Sequence, residues 1–216
     1  LKHPVANPVA WNKNALITGA NASGKSTYVK SIAVNAILAQ TINTVLAEKL
    51  TMQPGLVMTA MAVRDDLSEG DSYFVAEIKA IHRLLRAVAS NKRVYGFIDE
   101  ILKGTNTVER IAASASVINW LSHYPSLVVV ATHDNELTDI MGDQCINWHF
   151  QEKVTQKDGV VFDYLLHQGP ATSHNAIALL ATMAYPEPLI KDARQLAADF
   201  ERNKAWPKYR QGGIQA

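Results

Sequence analysis

The feature that most constrains the fold of this chain is a glycine-rich segment, residues 19–26, which reads GANASGKS. It lies between the apolar run 15–18 and a long stretch with helical periodicity from Lys25 to Ala47. Two glycines allow the backbone to turn so that several N–H groups and a helix N-terminus face one anion. The pattern therefore predicts a strand, loop and helix that bind the phosphates of a nucleoside triphosphate, in preference to a glycine-rich turn that only caps a helix.

Residues of this loop have separate predicted tasks. Lys25 is placed to reach the β- and γ-phosphates, and the hydroxyl of Ser26 is placed to be a ligand of Mg²⁺. The candidate nucleotide-binding residues are Gly19, Ala20, Asn21, Ala22, Ser23, Gly24, Lys25, Ser26 and Thr27.

Long apolar runs indicate a mainly parallel sheet. Residues 94–98 and 127–131 are too uniformly hydrophobic to have a solvent-facing side, which is typical of central parallel strands. Residues 108–121 have the composition of the crossover helix between them. Further expected elements are a strand over 58–63, an amphipathic helix over 74–88 and a hairpin over 145–166, around Lys157-Asp158-Gly159. The predicted fold is α/β, with helices flanking the sheet and a small antiparallel hairpin.

The composition limits the classes of protein to which this chain can belong. With 216 residues, of which 48% are apolar, the chain is long enough for one large domain spanning residues 1–216. No apolar run is long enough for a membrane span, and no secretory signal is visible. Cys145 is the single cysteine, which excludes an intramolecular disulfide. A cytoplasmic location is therefore expected. The net charge of +1 makes a DNA-binding module acting by itself the least favoured class.

Two carboxylates follow the strand predicted over 94–98. Asp99 and Glu100 would lie at the carboxyl edge of the sheet, where ligands bind in open α/β folds. We expect Asp99 to hold Mg²⁺ together with Ser26, and Glu100 to orient the attacking water. An acidic pair that ends a strand by chance is the alternative.

A histidine follows the next predicted strand. His133 would reach the same edge of the sheet and could sense or stabilise the γ-phosphate. Ser72 precedes the helix predicted over 74–88, so it either caps that helix or belongs to a loop that presents N–H groups to an anion. The sequence leaves this choice open.

Several blocks together resemble the ATPase domain of the MutS family of DNA mismatch-repair proteins, a branch of the ABC-type P-loop ATPases. They are ITGANASGKSTY at 17–28, DDLSEGDSYFVAE at 65–77, FIDEILKGTN at 97–106, ATHDNELT at 131–138 and the stretch 171–196. The resemblance implies an ABC-type fold, and it identifies this chain as the C-terminal part of a longer protein. The mismatch-recognition and clamp regions would lie outside it.

The resemblance also implies roles for particular residues. Ser72 matches the signature loop, which contacts the nucleotide of the opposite subunit, so a homodimer through the ATPase face is implied. Asn21 matches a position near the γ-phosphate, and His149 a position that packs on the adenine base. Thr105 and Asn106 match a loop that communicates across the dimer.

Departures from the family pattern indicate a subgroup. Typical members read GPNMGGKST and EIGRGTST, where this chain reads GANASGKST and EILKGTNT. The version LKGTNTVER resembles a divergent bacterial group of MutS-like proteins. The letters Phe150-Gln151-Glu152 match a mismatch-reading motif, but they lie beside the predicted hairpin and are interpreted as a coincidence.

The predicted function is Mg²⁺-dependent ATP binding and hydrolysis at a dimer interface. Hydrolysis would drive a conformational change in DNA-binding parts of the protein outside this chain, in mismatch repair or a related DNA transaction. One alternative is a nucleotide-gated dimerisation module with little turnover. Another is an ABC-type ATPase of chromosome maintenance, although such proteins carry a different signature at 68–72.

Overall fold

The computed structural model describes residues 4–61, 73–90, 92–155, 159–171 and 176–209. The strands are β1 (Ala15–Thr18), β2 (Leu56–Ala60), β3 (Val94–Asp99), β4 (Ser126–Ala131), β5 (Ile146–Thr155) and β6 (Gly159–Gln168). The helices are α1 (Lys25–Thr41), α2 (Tyr73–Ala89), α3 (Thr107–Leu121), α4 (Glu136–Met141), α5 (Ala176–Thr182) and α6 (Glu187–Asn203), with a short 3₁₀ turn at Gly142–Gln144.

The strands form one six-stranded sheet in the order β2-β3-β4-β1-β5-β6. The pairs β2 with β3, β3 with β4, β4 with β1, and β1 with β5 are all parallel. β5 and β6 are neighbours in the sheet and are three residues apart in the sequence. The two strands are therefore antiparallel, because a parallel connection needs a dozen residues or more. The prediction of a mixed α/β fold with a mostly parallel sheet is confirmed.

Two apolar layers cover the faces of this sheet. On one face, Leu84 of α2 and Ile118 of α3 pack with Ile98 and Val128. On the other face, Val29 and Ala33 of α1 pack with Ile17, Phe97 and Val129. Phe97 and Ile98 point to opposite faces because side chains alternate along a strand. Both are almost fully buried, which explains why β3 reads as one continuous hydrophobic run.

The predicted extent of the first helix is wrong at its C-terminus. α1 ends at Thr41, six residues before Ala47, and Asn43 has a left-handed φ of 52°. Asparagine tolerates this conformation, which commonly ends helices. The side chain of Asn35 accepts a hydrogen bond from Leu46 N at 2.6 Å, and that of Gln40 accepts one from Gly55 N at 2.7 Å, so the last turns of α1 anchor the outgoing chain.

Other predicted bounds differ slightly. β2 begins at Leu56, two residues before the predicted start at Met58, and ends at Ala60, while residues 62–63 lie outside the described part of the chain. The predicted second helix and the crossover helix agree with α2 and α3 within a residue or so.

Contacts within the chain define two compact units, residues 1–151 with 163–171 and residues 152–162 with 172–216. The first contains most of the sheet, and the second contains α5 and α6. That residues 1–216 act as one ATPase domain stays a prediction. In the described ranges, no helix has both the length and the apolar character that crossing a bilayer requires.

Candidate active site

The loop between β1 and α1 depends on its two glycines. Gly19 has φ of 136° and Gly24 has φ of 108°, which side chains other than hydrogen rarely allow. A Cβ atom at Gly19 would lie 2.6 Å from the carbonyl oxygen of Phe150 in β5. Gly24 is the N-cap of α1, so the loop ends on a helix N-terminus, where N–H groups without intrahelical partners attract anions.

The loop residues differ in exposure. Asn21, Ala22 and Thr27 are exposed, whereas Ser23 is 1% exposed. In the described part of the chain the Ser23 hydroxyl has no hydrogen-bond partner. A buried polar atom of this kind, beside an exposed loop tip and a helix N-terminus, fits a loop that surrounds a polar ligand.

Lys25 carries its ammonium group back into this loop. It is only 4% exposed, and its Nζ donates to the carbonyl oxygens of Gly19 at 2.6 Å and Ala20 at 2.9 Å. The same Nζ lies 3.5 Å from Nδ1 of His133. A buried positive charge therefore lies at the start of α1 and adjoins the end of β4.

Ser26 and Asp99 meet across the sheet edge. The hydroxyl of Ser26 donates to Oδ1 of Asp99 at 2.9 Å. Two hard oxygen donors at this distance fit a Mg²⁺ ion, which usually takes one or two protein oxygens and completes its octahedron with water and substrate phosphates. In the described ranges, no group of three or more His, Cys, Asp or Glu side chains forms an all-protein metal cage.

Glu100 and His133 are in direct contact. Nε2 of His133 lies 2.6 Å from Oε1 of Glu100, and both side chains are partly exposed. Glu100 has a left-handed φ of 64°, and its N–H donates to the carbonyl of Ala131 at 2.9 Å. This backbone hydrogen bond to β4 thus holds Glu100 in a conformation that residues other than glycine rarely adopt. Such strained residues cluster at functional sites.

The structure thus brings together five of the residues predicted from the sequence: Lys25, Ser26, Asp99, Glu100 and His133. They lie at the carboxyl ends of β1, β4 and β3, which are adjacent in the sheet. This is the edge where open α/β sheets bind ligands. Their chemical roles remain predictions.

His149 lies on the other side of the loop. It is in register with Thr18 on the neighbouring β1, so it adjoins the start of the glycine-rich loop. Its Nδ1 is 2.9 Å from the carbonyl oxygen of Gly169, and its ring is 5.3 Å from that of His167, which contacts Asp163 at 3.0 Å. The half-buried ring is held in place from one side, but contact with a base remains a prediction.

Other predicted residues have more local positions. Ser72 lies outside the described residues. The Asn106 side chain caps α3 by accepting from Glu109 N at 3.0 Å, and Thr105 donates to the Glu109 carboxylate at 3.1 Å, which forms a capping arrangement. Phe150 is buried in the core, with its ring 5.7 Å from that of Tyr28, as expected if the Phe-Gln-Glu match is a coincidence.

One pair of charged residues was missed by the sequence analysis. Arg110 in the first turn of α3 forms two hydrogen bonds with Asp134, Nε to Oδ2 and Nη2 to Oδ1, each 2.7 Å long. These hydrogen bonds raise the pKa of the Arg110 guanidinium above its ordinary value, and the negative charges of Glu100 and Glu136 act in the same direction. The only feature of the sequence that could have indicated this pair is the acid Asp134, directly after His133.

A second missed contact connects α2 to the turn after Glu100. Glu77 is 3% exposed, and its Oε1 accepts a hydrogen bond from Lys103 N at 3.0 Å. The helix that follows Ser72 in the chain is therefore attached to the segment that follows the acidic pair.

The sheet is mostly parallel, and a glycine-rich loop, two acids and a histidine lie together at one of its edges. The protein is therefore of the mixed α/β class, with its candidate site at the carboxyl ends of adjacent strands. The MutS domain V family matches residues 15–201. The chain therefore belongs to the MutS family and contains its domain V.

Two relatives carry the same family name. The chain is 31% identical over 210 residues to a DNA mismatch repair protein MutS of Natronomonas pharaonis, covering 94% of this chain and 24% of that protein. It is 33% identical over 187 residues to a DNA mismatch repair protein MutS 2 of Halobacterium salinarum, covering 84% of this chain and 21% of that protein. The chain thus spans about a quarter or less of these relatives. Both are archaeal, so membership of a bacterial subgroup stays a prediction.

Proposed function

We propose that this chain is an ABC-type ATPase module that binds ATP with Mg²⁺ and hydrolyses it. The observation that carries the proposal is the continuous set of contacts from Lys25 to His133 to Glu100, next to the Ser26–Asp99 pair. A buried cation, two hard oxygen donors and a carboxylate are the groups that phosphoryl transfer to water requires.

Each side chain has a task in this proposal. Lys25 and the loop N–H groups offset the negative charge of the β- and γ-phosphates. Ser26 and Asp99 would hold Mg²⁺, which would supply positive charge beside the phosphate oxygens. Glu100 accepts a hydrogen bond from the attacking water and orients it. His133 lies between Lys25 and Glu100: its Nδ1 accepts from the Lys25 ammonium beside the γ-phosphate position, and its Nε2 donates to Glu100 and keeps that carboxylate turned to the site.

We further propose that the module works as a homodimer and acts on DNA through other parts of a longer protein. Ser72, carried over from the family motif, would contact the nucleotide of the opposite subunit. The named relatives are DNA mismatch repair proteins about four times as long as this chain. ATP-driven closure of the dimer would move DNA-binding segments, in mismatch repair or a related transaction.

A second candidate is a nucleotide-gated dimerisation module with little turnover. The 2.6 Å contact between His133 and Glu100 favours it, since a carboxylate that already accepts a short hydrogen bond has less capacity to polarise water. In this case ATP binding would close the dimer and hydrolysis would be slow.

Turnover compared with stoichiometric binding separates the two candidates. Binding of Mg-ATP is measured by calorimetric titration, and phosphate release is measured under steady-state conditions on the same preparation. The ATPase proposal predicts turnover that requires Mg²⁺, whereas the alternative predicts tight binding with negligible phosphate release.

The variant Lys25→Ala tests the site itself. Because it removes the buried ammonium, we expect ATP affinity to fall by about tenfold to a hundredfold, in line with the loss of charge-assisted hydrogen bonds worth about 1.5–3 kcal/mol. Lys30→Ala, at an exposed position of the same helix, is the matched control and should bind normally. Normal ATP binding by Lys25→Ala would mean that the glycine-rich loop is not the phosphate site.

A further inference from the structure

The ion pair between Arg110 and Asp134 lies beside the candidate site but has no part in the proposed chemistry. Both hydrogen bonds are 2.7 Å long, and the side chains are only 22% and 11% exposed. A bidentate guanidinium–carboxylate contact fixes the relative orientation of the two side chains as well as their distance, whereas a lysine contact fixes only the distance. The pair is therefore suited to holding two segments in one relative position.

Those two segments carry Glu100 and His133. Arg110 lies in the first turn of α3, which follows the loop that starts at Glu100, and its N–H donates to the carbonyl of Asn106 at 2.9 Å. Asp134 directly follows His133, and its N–H donates to Thr132 Oγ1 at 3.1 Å. The ion pair thus connects the loop after β3 to the loop after β4, close to the place where Glu100 meets His133.

We propose that Arg110 is a positioning residue that, through Asp134, holds His133 in its 2.6 Å contact with Glu100. This inference rests on the proposed ATPase function. Arg110 does not touch the reacting atoms, so its loss leaves the phosphate-binding groups in place and affects the alignment of Glu100 and His133. Displacement of catalytic groups by about 1 Å can reduce turnover by about a hundredfold.

The test compares Arg110→Met, Arg110→Lys, Asp134→Asn and the double variant Arg110→Met with Asp134→Asn. Arg86→Met, on an exposed face of α2, is the matched control for removing an arginine. Three quantities are measured: affinity for Mg-ATP, steady-state kcat and the temperature of thermal unfolding. We expect kcat to fall at least about tenfold in Arg110→Met and in Asp134→Asn, with ATP affinity within about threefold of wild type.

Two comparisons separate positioning from a general loss of structure. The double variant should lose no more activity than either single variant, because both remove the same interaction. Arg110→Lys should have a higher kcat than Arg110→Met, since lysine keeps the charge but not the bidentate geometry. Arg110→Met leaves the buried Asp134 carboxylate without its partner. If that variant fails to fold for this reason, the double variant, in which neither side chain is charged, is compared with wild type instead.

A second readout does not depend on hydrolysis. The Nε2 proton of His133, held against the Glu100 carboxylate, should give an imidazole NMR signal protected from solvent exchange in the wild type and in Arg86→Met. That signal should be lost in Arg110→Met and in the double variant. Wild-type kcat or an unchanged His133 signal in the folded double variant would overturn the inference. Absence of turnover in the wild type would instead refute the ATPase proposal, and the His133 signal would still decide the positioning role.

Discussion

Replacement of Gly19 by alanine tests the geometry of the glycine-rich loop directly. The added Cβ would lie 2.6 Å from the carbonyl oxygen of Phe150, and 3.2 Å from the hydroxyl of Ser23. The φ of 136° is also unfavourable for any residue with a Cβ. The backbone conformation costs about 1–3 kcal/mol and the steric overlap about another 1–3 kcal/mol, so the variant should lose about 2–6 kcal/mol of stability.

The assay is denaturation by urea and heat, with Gly142→Ala as the matched control. Gly142 also has a positive φ, 47°, but a Cβ there would meet nothing within 4 Å. The control therefore carries only the backbone cost, about 1–3 kcal/mol. For a chain of this size, a loss of about 4 kcal/mol in Gly19→Ala lowers Tm by about 8–16 °C.

The difference between the two variants isolates the contact with β5. Gly19→Ala should also weaken ATP binding, because the loop must move away from Phe150 to accommodate the methyl group. If Gly19→Ala is no less stable than Gly142→Ala, the loop does not pass against Phe150 as described, and the reasoning about its shape is refuted.

Two further predictions concern Glu100 and Cys145. Glu100→Gln should bind Mg-ATP within about threefold of wild type while kcat falls by about a hundredfold or more, as measured by phosphate release; normal turnover would remove Glu100 from its proposed role. Burial raises the pKa of the Cys145 thiol to about 11, so the folded state keeps a proton that the unfolded state loses above its usual pKa near 9. Stability should therefore fall by about 2–3 kcal/mol as the pH rises from 9 through 11, and the urea midpoint of Cys145→Ala should show a smaller fall over that range.

The parts of the fold that follow from local patterns could be predicted from the sequence. The runs 94–98 and 127–131 are buried on both faces in β3 and β4, so their hydrophobicity is uniform and easily recognised. The loop 19–26 could be placed because glycine spacing is imposed by backbone conformation. The C-terminus of α1 could not, since helical periodicity continues past Thr41 and the helix ends through side-chain contacts of Asn35 and Gln40 with the following segment.

The candidate site was predictable residue by residue, but its pairwise contacts were not. Asp99, Glu100 and His133 each follow a recognisable strand, so each could be assigned to the carboxyl edge. Arg110 has no such signal, because its partner Asp134 is 24 residues away and the pair forms only when α3 packs against α4, the helix that follows Asp134. A contact of this kind depends on tertiary packing.

The order of the strands explains why His133 is central to the site. Chain order alone suggests that β1 pairs with β2, yet α1 carries the chain past two strands to the far edge, and β4 takes the place beside β1. β4 therefore lies between β3, which ends in the acids, and β1, which leads into the loop. A side chain at the end of the middle strand can touch groups on both sides, and His133 does so, with one ring nitrogen near Lys25 and the other near Glu100. Because the sheet order creates this bridge, replacing His133 itself should remove a contact of the phosphate-binding lysine and a contact of the water-orienting acid in a single substitution.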